Sequence, residues 1–159
     1  NGMDRVEFML SANPGESLKP LEKVASGGEM SRIMLAFKAI AANADSIPTL
    51  IFDEIDTGIS GHIAAVVGEK MVSIADNHQV VCVTHLPQIA ALADVHFMVQ
   101  KQDDGQTTRT SLKRLEMEER YEYIARMMSG MEDSKLAYEH ARELITHSEE
   151  IKQKRRKNK

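Results

Sequence analysis

"TLIFDEIDTGISG", residues 49–61, is the stretch on which the reading of this chain turns. Four mostly apolar residues run straight into two adjacent carboxylates, Asp53 and Glu54. Asp56 follows two positions later, and a glycine-bounded turn closes the stretch. A short continuous apolar run bounded by turn residues predicts a strand buried on both faces. The question is why such a strand should end in paired acids.

Thirty residues on, "QVVCVTH" (79–85) predicts a second buried strand, ending in His85. Between the two, Ser60 is placed to cap a helix with Ile63, Val67, Met71 and Ile74 on one face. Strand, helix, strand at this spacing makes a parallel unit with a right-handed crossover. Ligands of parallel sheets bind beyond the carboxyl ends of the strands. Asp53, Glu54 and His85 all stand at such ends and are expected to converge. An acid pair there suits Mg²⁺-nucleotide chemistry, one carboxylate holding the ion directly or through water and the other polarising an attacking water. The plainer alternative is that the acids only end a strand and open a turn, and that His85 bonds a loop carbonyl.

Upstream, "SGGEMSRIMLAFKAIAANA" (26–44) carries apolar residues at Met30, Ile33, Met34, Phe37 and Ile40, which is helical spacing with a Met-rich face expected in the core. Ser26 and Glu29 match a capping box. The free N–H groups at such a helix start form an anion site, and two glycines let a ligand approach the backbone. Capping alone explains Ser26 and Glu29. It leaves the glycines unexplained, each costing about 1 kcal/mol against Ala inside a helix. Arg32, just beyond, is placed to reach a phosphate or to form a surface ion pair.

Elsewhere, "RVEFMLS" (5–11) alternates like a strand and "ANPGES" (12–17) reads as a loop. A short helix is expected after Pro87. Strands over 96–102 and 106–115 flank "DDG", a hairpin signal. From Glu116 onward the chain is helical and charged, with a break near Ser129 and Gly130.

With 159 residues, 42% apolar and 28% charged, the chain is one ordinary globular domain. Aromatics are only 4% and ten Met help fill the core. The single cysteine, Cys82, allows no disulfide within the chain and is expected to pack as a small hydrophobe in a reducing compartment. No apolar run approaches the ~18 residues of a membrane span and no signal-peptide pattern opens the sequence. A cytoplasmic protein without membrane contact is expected. Net charge is −4, yet "KQKRRKNK" (152–159) holds six of the twenty basic residues. It reads as a frayed basic tail or as a nucleic-acid contact.

Taken in order, "SGGE" (26–29), "TLIFDE" (49–54), "IDTGISG" (55–61) and "VCVTH" (81–85) resemble the signature motif, Walker B, D-loop and switch histidine of ABC-type ATPase heads. The DEIDTGISG wording is closer to the SMC-like heads of chromosome and DNA-repair proteins than to transporters. The resemblance covers about residues 3–130. It implies an α/β fold: the C-terminal half of such a head, a mostly parallel sheet with flanking helices, then a hairpin and helices. The lobe would span 1–150, with 151–159 as a basic tail. The resemblance assigns Mg²⁺ to Asp53, the role of catalytic base or water-orienting carboxylate to Glu54, and γ-phosphate contact to His85. It has Ser26, Gly27, Gly28 and Glu29 bind ATP held by a second head, and Asp56 link the two sites. His62, beside the D-loop, is expected at the surface.

One part of the pattern is missing. No GxxxxGK(S/T) loop occurs, so the phosphate cradle has to come from elsewhere. The resemblance places that loop in an N-terminal lobe of the same head, and it implies a second identical head and DNA as further partners. The implied function is a head segment of a protein of double-strand-break repair and recombination, nucleoid-associated when active. ATP hydrolysis is expected of the complete head and not of this chain alone. Three alternatives stay open: another SMC-like head, a non-enzymatic interaction module, and a DEAD-like helicase suggested by "DEID" (53–56). The helicase reading also requires a Walker A loop, and it has no place for "SGGE".

Overall fold

Thr49–Phe52 (β3) and Gln79–Cys82 (β4) are hydrogen-bonded neighbours, parallel, with Thr49 opposite Gln79 and Phe52 opposite Cys82. The computed structural model describes residues 2–11, 14–24, 26–41, 47–103, 107–131 and 134–157. The expectations that fell on 12–13, 25, 42–44, 104–106 and 158–159 lie outside the described residues. Before β3 come Met9–Leu10 (β1), Lys19–Pro20 (β2), Leu21–Val24 (α1) and Gly27–Ala41 (α2). Gly61–Ala75 (α3) joins β3 to β4. After β4 come Pro87–Ala90 (α4), Phe97–Asp103 (β5), Thr108–Arg114 (β6), Met117–Ser129 (α5) and Lys135–Lys157 (α6).

The fold is mixed α/β. Among the described residues the strands form three pairs, and only β3–β4 is parallel; β1–β2 and β5–β6 are antiparallel. The expected hairpin is the β5–β6 ribbon, and the expected strand over 5–11 shortens to Met9 and Leu10. No described helix is long and apolar enough to cross a membrane.

One core gathers Leu35 of α2, Leu50 and Phe52 of β3, Ile55, then Ala64, Val67, Met71 and Ile74 of α3, and Ile89 of α4. Each large apolar side chain among them, once buried, contributes about 1.5–3 kcal/mol. A second cluster joins Ala91 to Ile124 and Ala125 of α5 and Ala137, Ala141 and Ile145 of α6. Gly130, at φ 66°, closes α5 at the expected break.

Burial corrects three expectations. β3 is covered on one face only: Leu50 and Phe52 are buried, while Ile51 is 72% exposed, as are much of Val81 and Val83 alongside it. On α2 only Leu35 among the side chains is fully buried. Met34, Phe37 and Ile40 face outward, with Phe37 packed on the Phe8 ring at 5.6 Å between centroids. On α3, Ile63 is exposed and Ala64 and Gly68 take the inner face, where Gly68 lets the helix lie against Leu92. Ser60 does occupy the α3 N-cap position, but its side chain makes no capping bond.

The frayed-tail reading fails over 152–157. α6 continues through Lys157, and Lys152 is 4% exposed. Its ammonium donates to Asp94 Oδ1 at 3.0 Å and Glu149 Oε1 at 2.9 Å, the pairing that a buried charge requires. Arg155 donates to Asp76 Oδ2 at 3.2 Å and Ser73 Oγ at 2.9 Å, tying the helix end to α3.

Candidate functional site

Beyond Phe52 the chain leaves β3 through Asp53 and Glu54, both exposed. Asp53 accepts the Glu54 N–H at 3.0 Å, and Glu54 takes φ 56°, the only positive φ outside glycine among the described residues. A left-handed backbone costs a side-chain-bearing residue about 1–2 kcal/mol. The turn that follows bonds Thr57 N–H to Glu54 O at 3.1 Å. It sends Ile55 and Asp56 inward while the acid pair stays outward.

Asp56 is 3% exposed. Its Oδ2 accepts the Thr84 hydroxyl at 2.6 Å and the His85 N–H at 2.8 Å, and His85 Nδ1 lies 3.0 Å from it. Burial by itself would raise the Asp56 pKa. The bonds from Thr84 and His85, the nearby imidazole and its own N–H outweigh burial and hold the carboxyl below its ordinary value. His85 Nδ1 is the ring nitrogen on the Asp56 side, which leaves Nε2 as the outer one. The His85 side chain is 73% exposed, so it is aimed by a buried carboxylate yet faces solvent.

The start of α2 lies against this loop. Ser26 and Glu29 form the expected capping box: the Ser26 N–H and hydroxyl donate to Glu29 Oε2 at 2.8 and 2.9 Å, and the Glu29 N–H reaches Ser26 Oγ at 3.4 Å. The Ser26 backbone bond, then its hydroxyl, lower the Glu29 pKa. The two glycines have separate reasons. A Cβ on Gly28 would stand 2.9 Å from both the Glu54 and Thr57 carbonyl oxygens, so only glycine lets helix and loop meet. A Cβ on Gly27 would meet the Glu54 Oε2 at 2.5 Å and nothing of the backbone. Packing within the chain is thus a sufficient reason for Gly28, and it supplies none for Gly27.

Ser31 and Arg32 continue the contact. The Ser31 hydroxyl donates to Asp53 O at 2.9 Å. Arg32 Nη1 donates to Ile55 O at 3.1 Å and Thr57 O at 2.8 Å. The Arg32 bonds seen among the described residues run to backbone carbonyls of the acid loop. Reading motifs alone missed Thr84 and Ser31, and it missed the contact of Arg32 with the acid loop. Two signals were available: Arg32 lies one helical turn after Gly28, and Thr84 directly precedes His85.

The site residues expected from sequence thus meet in one place: 26–29, Asp53, Glu54, Asp56 and His85 are joined through Gly28, Arg32 and Asp56. They stand on an open face. Two concavities among the described residues, about 500 Å³ along α6 and about 390 Å³ between α5 and α6, lie away from it. Cys82, beneath the site, is half-buried in the core; burial first, then the Asp56 and Asp53 charges, push its thiol up to about 12. His62 is exposed, as expected.

No family model matches the chain. Among curated proteins it is 51% identical over 96% of its length to the DNA repair protein RecN of Halalkalibacterium halodurans, covering 27% of that protein. It is 46% identical over 95% of its length to the RecN of Bacillus subtilis, covering 26% of it, and 48% identical over 91% to that of Treponema pallidum, covering 25%. The chain spans about a quarter of the length of the curated relatives it matches.

Proposed function

The chain belongs to the RecN family of DNA repair proteins, and from that premise we propose that it is the C-terminal lobe of an ATPase head acting in the repair and recombination of broken DNA. One observation supports this above others. Buried Asp56 holds the acid loop and the His85 strand end together, while Asp53, Glu54 and the His85 ring are left facing solvent. Polar groups fixed from behind and open in front suit a ligand that arrives from outside the chain.

In this reading Glu54 orients or deprotonates the attacking water, and His85 approaches the γ-phosphate through Nε2. Ser26, Gly27, Gly28 and Glu29 engage ATP carried by a second head, and Asp56 links the two sites. Among the described residues no three His, Cys, Asp or Glu side chains converge as a metal cage. Mg²⁺ keeps several waters and takes one or two carboxylates plus phosphate oxygens, and the exposed Asp53 is the ligand this chain would offer. Bound Mg²⁺ would neutralise charge building on the phosphates. The N-terminal lobe supplies the phosphate-cradling loop and covers the exposed face of Ile51, Val81 and Val83, extending β3–β4 into a mostly parallel sheet. ATP then holds two heads together and hydrolysis parts them, gating an assembly that holds DNA in the cytoplasm, at the nucleoid. The exposed apolar face favours a companion reading for the chain by itself: a non-enzymatic module awaiting its other lobe.

The test is ATP turnover by this chain alone, then mixed with a separately prepared lobe carrying a GxxxxGK(S/T) loop. Turnover only on mixing, lost with Glu54→Gln, is expected. Turnover undiminished by Glu54→Gln would reject the assignment of Glu54. A folded, associated mixture without turnover would reject the ATPase reading.

A further inference from the structure

Glu54 combines a strained backbone with a carboxylate open to solvent. Its carboxylate has no hydrogen bond among the described residues that would fix its direction. What fixes it is the backbone on either side, and that backbone is held from α2. Ser31 bonds the carbonyl before Glu54, and Arg32 bonds the carbonyls of Ile55 and Thr57 after it. Gly28 leaves the gap in which these meet, since a Cβ there would also stand 3.0 Å from Arg32 Nη1. The Arg32 nitrogen is thus committed to the loop. Its half-buried guanidinium replaces the water that two carbonyls in a tight turn would otherwise bind.

We infer that Arg32 is a positioning residue, which clamps the acid loop to the start of α2 and so aims Glu54. The inference rests on the role proposed for Glu54. Its consequence is that the α2 start and the acid loop move as one body. The two parts of the site that would serve different nucleotides are then mechanically joined within each chain.

The test uses Arg32→Met and Arg32→Lys in the full-length protein, with steady-state ATP turnover and amide hydrogen exchange as the two readouts. With Arg32→Met, kcat should fall about ten- to a hundredfold with KM for ATP nearly unchanged, the loss that a misplaced catalytic group produces. Exchange at the Thr57 N–H, bonded to Glu54 O, should quicken at least about tenfold while the α3 core amides keep their protection. Arg32→Lys retains a cation and a stem able to reach one carbonyl, and should recover part of both losses; it also serves if the Met variant does not fold. A raised KM with kcat intact would mean that Arg32 holds nucleotide, and would overturn the inference. So would unchanged kcat and unchanged Thr57 exchange. If the unsubstituted protein turned over no ATP, the role of Glu54 would fall, while Thr57 exchange would still decide whether Arg32 clamps the loop.

Discussion

Asp56→Asn removes one charge from the best-connected buried group of the site and changes almost no volume. Two donors converge on Asp56 Oδ2, the Thr84 hydroxyl at 2.6 Å and the His85 N–H at 2.8 Å, with His85 Nδ1 3.0 Å away. A hydrogen bond to a charged group contributes about 1.5–3 kcal/mol and a neutral one about 0.5–1.5, so neutralising the acceptor of both costs about 2 kcal/mol. For a chain of this size that lowers Tm by about 4–8 °C. The pH dependence separates charge from shape. The Asp56 pKa is depressed in the folded state, so its contribution is present above the unfolded value of about 3.9 and is lost as pH falls through the folded one. The stability gap between the parent chain and the Asp56→Asn variant should therefore hold from pH 7 to about 4 and close below it. Urea unfolding followed by circular dichroism at several pH values measures the gap, provided the urea slope is unchanged. A variant as stable as the parent at pH 7, or a gap as wide well below the folded pKa as at pH 7, would refute the charge-based account.

Gly28→Ala meets two backbone carbonyls and should destabilise by about 1–3 kcal/mol, whereas Gly27→Ala meets only the tip of Glu54 and should cost little or nothing in thermal unfolding. Lys152→Met should be close to neutral, because Asp94 and Glu149 can turn to water. Lys152→Ala, which also removes the buried stem, should cost about 2 kcal/mol by urea unfolding. Cys82, with its thiol pushed up to about 12, should resist alkylation at pH 8 in the folded chain and react readily in urea; a fast-reacting native thiol would contradict its packing.

What the sequence disclosed about the site was mostly local. Asp53, Glu54 and His85 were placed by the rule that strand ends in a parallel unit face one way, and β3 and β4 are in fact neighbours. The capping box of Ser26 and Glu29 was legible because its partners are three residues apart. The contacts of Gly28, Ser31 and Arg32 with the acid loop span more than twenty residues, and no periodicity encodes them. The glycine was noticed for its cost. Another part of the same chain is a sufficient reason for it.

The errors in burial have a single physical source. Ile51, Val81, Val83, Met34, Phe37 and Ile40 were all expected inside, and all are exposed. Hydrophobic pattern records that a side chain avoids water without saying which molecule covers it. The helix faces show the same logic on a smaller scale: Ile63 and Ala64 of α3 are neighbours, and the smaller residue went inward because Gly68 and Leu92 bring α4 close on that side. The polar tail failed in the opposite sense. Lys152 looked solvated by composition, but the Ala93 carbonyl and the carboxylates of Asp94 and Glu149 made a place for one ammonium, and its stem completed the packing of α6. In each case residue type gave the side chain's preference, and the surface set against it decided whether that preference was met within the chain. An apolar face stays open on β3–β4, and the acid pair at the end of β3 stays open with it; together they support the proposal of a second lobe.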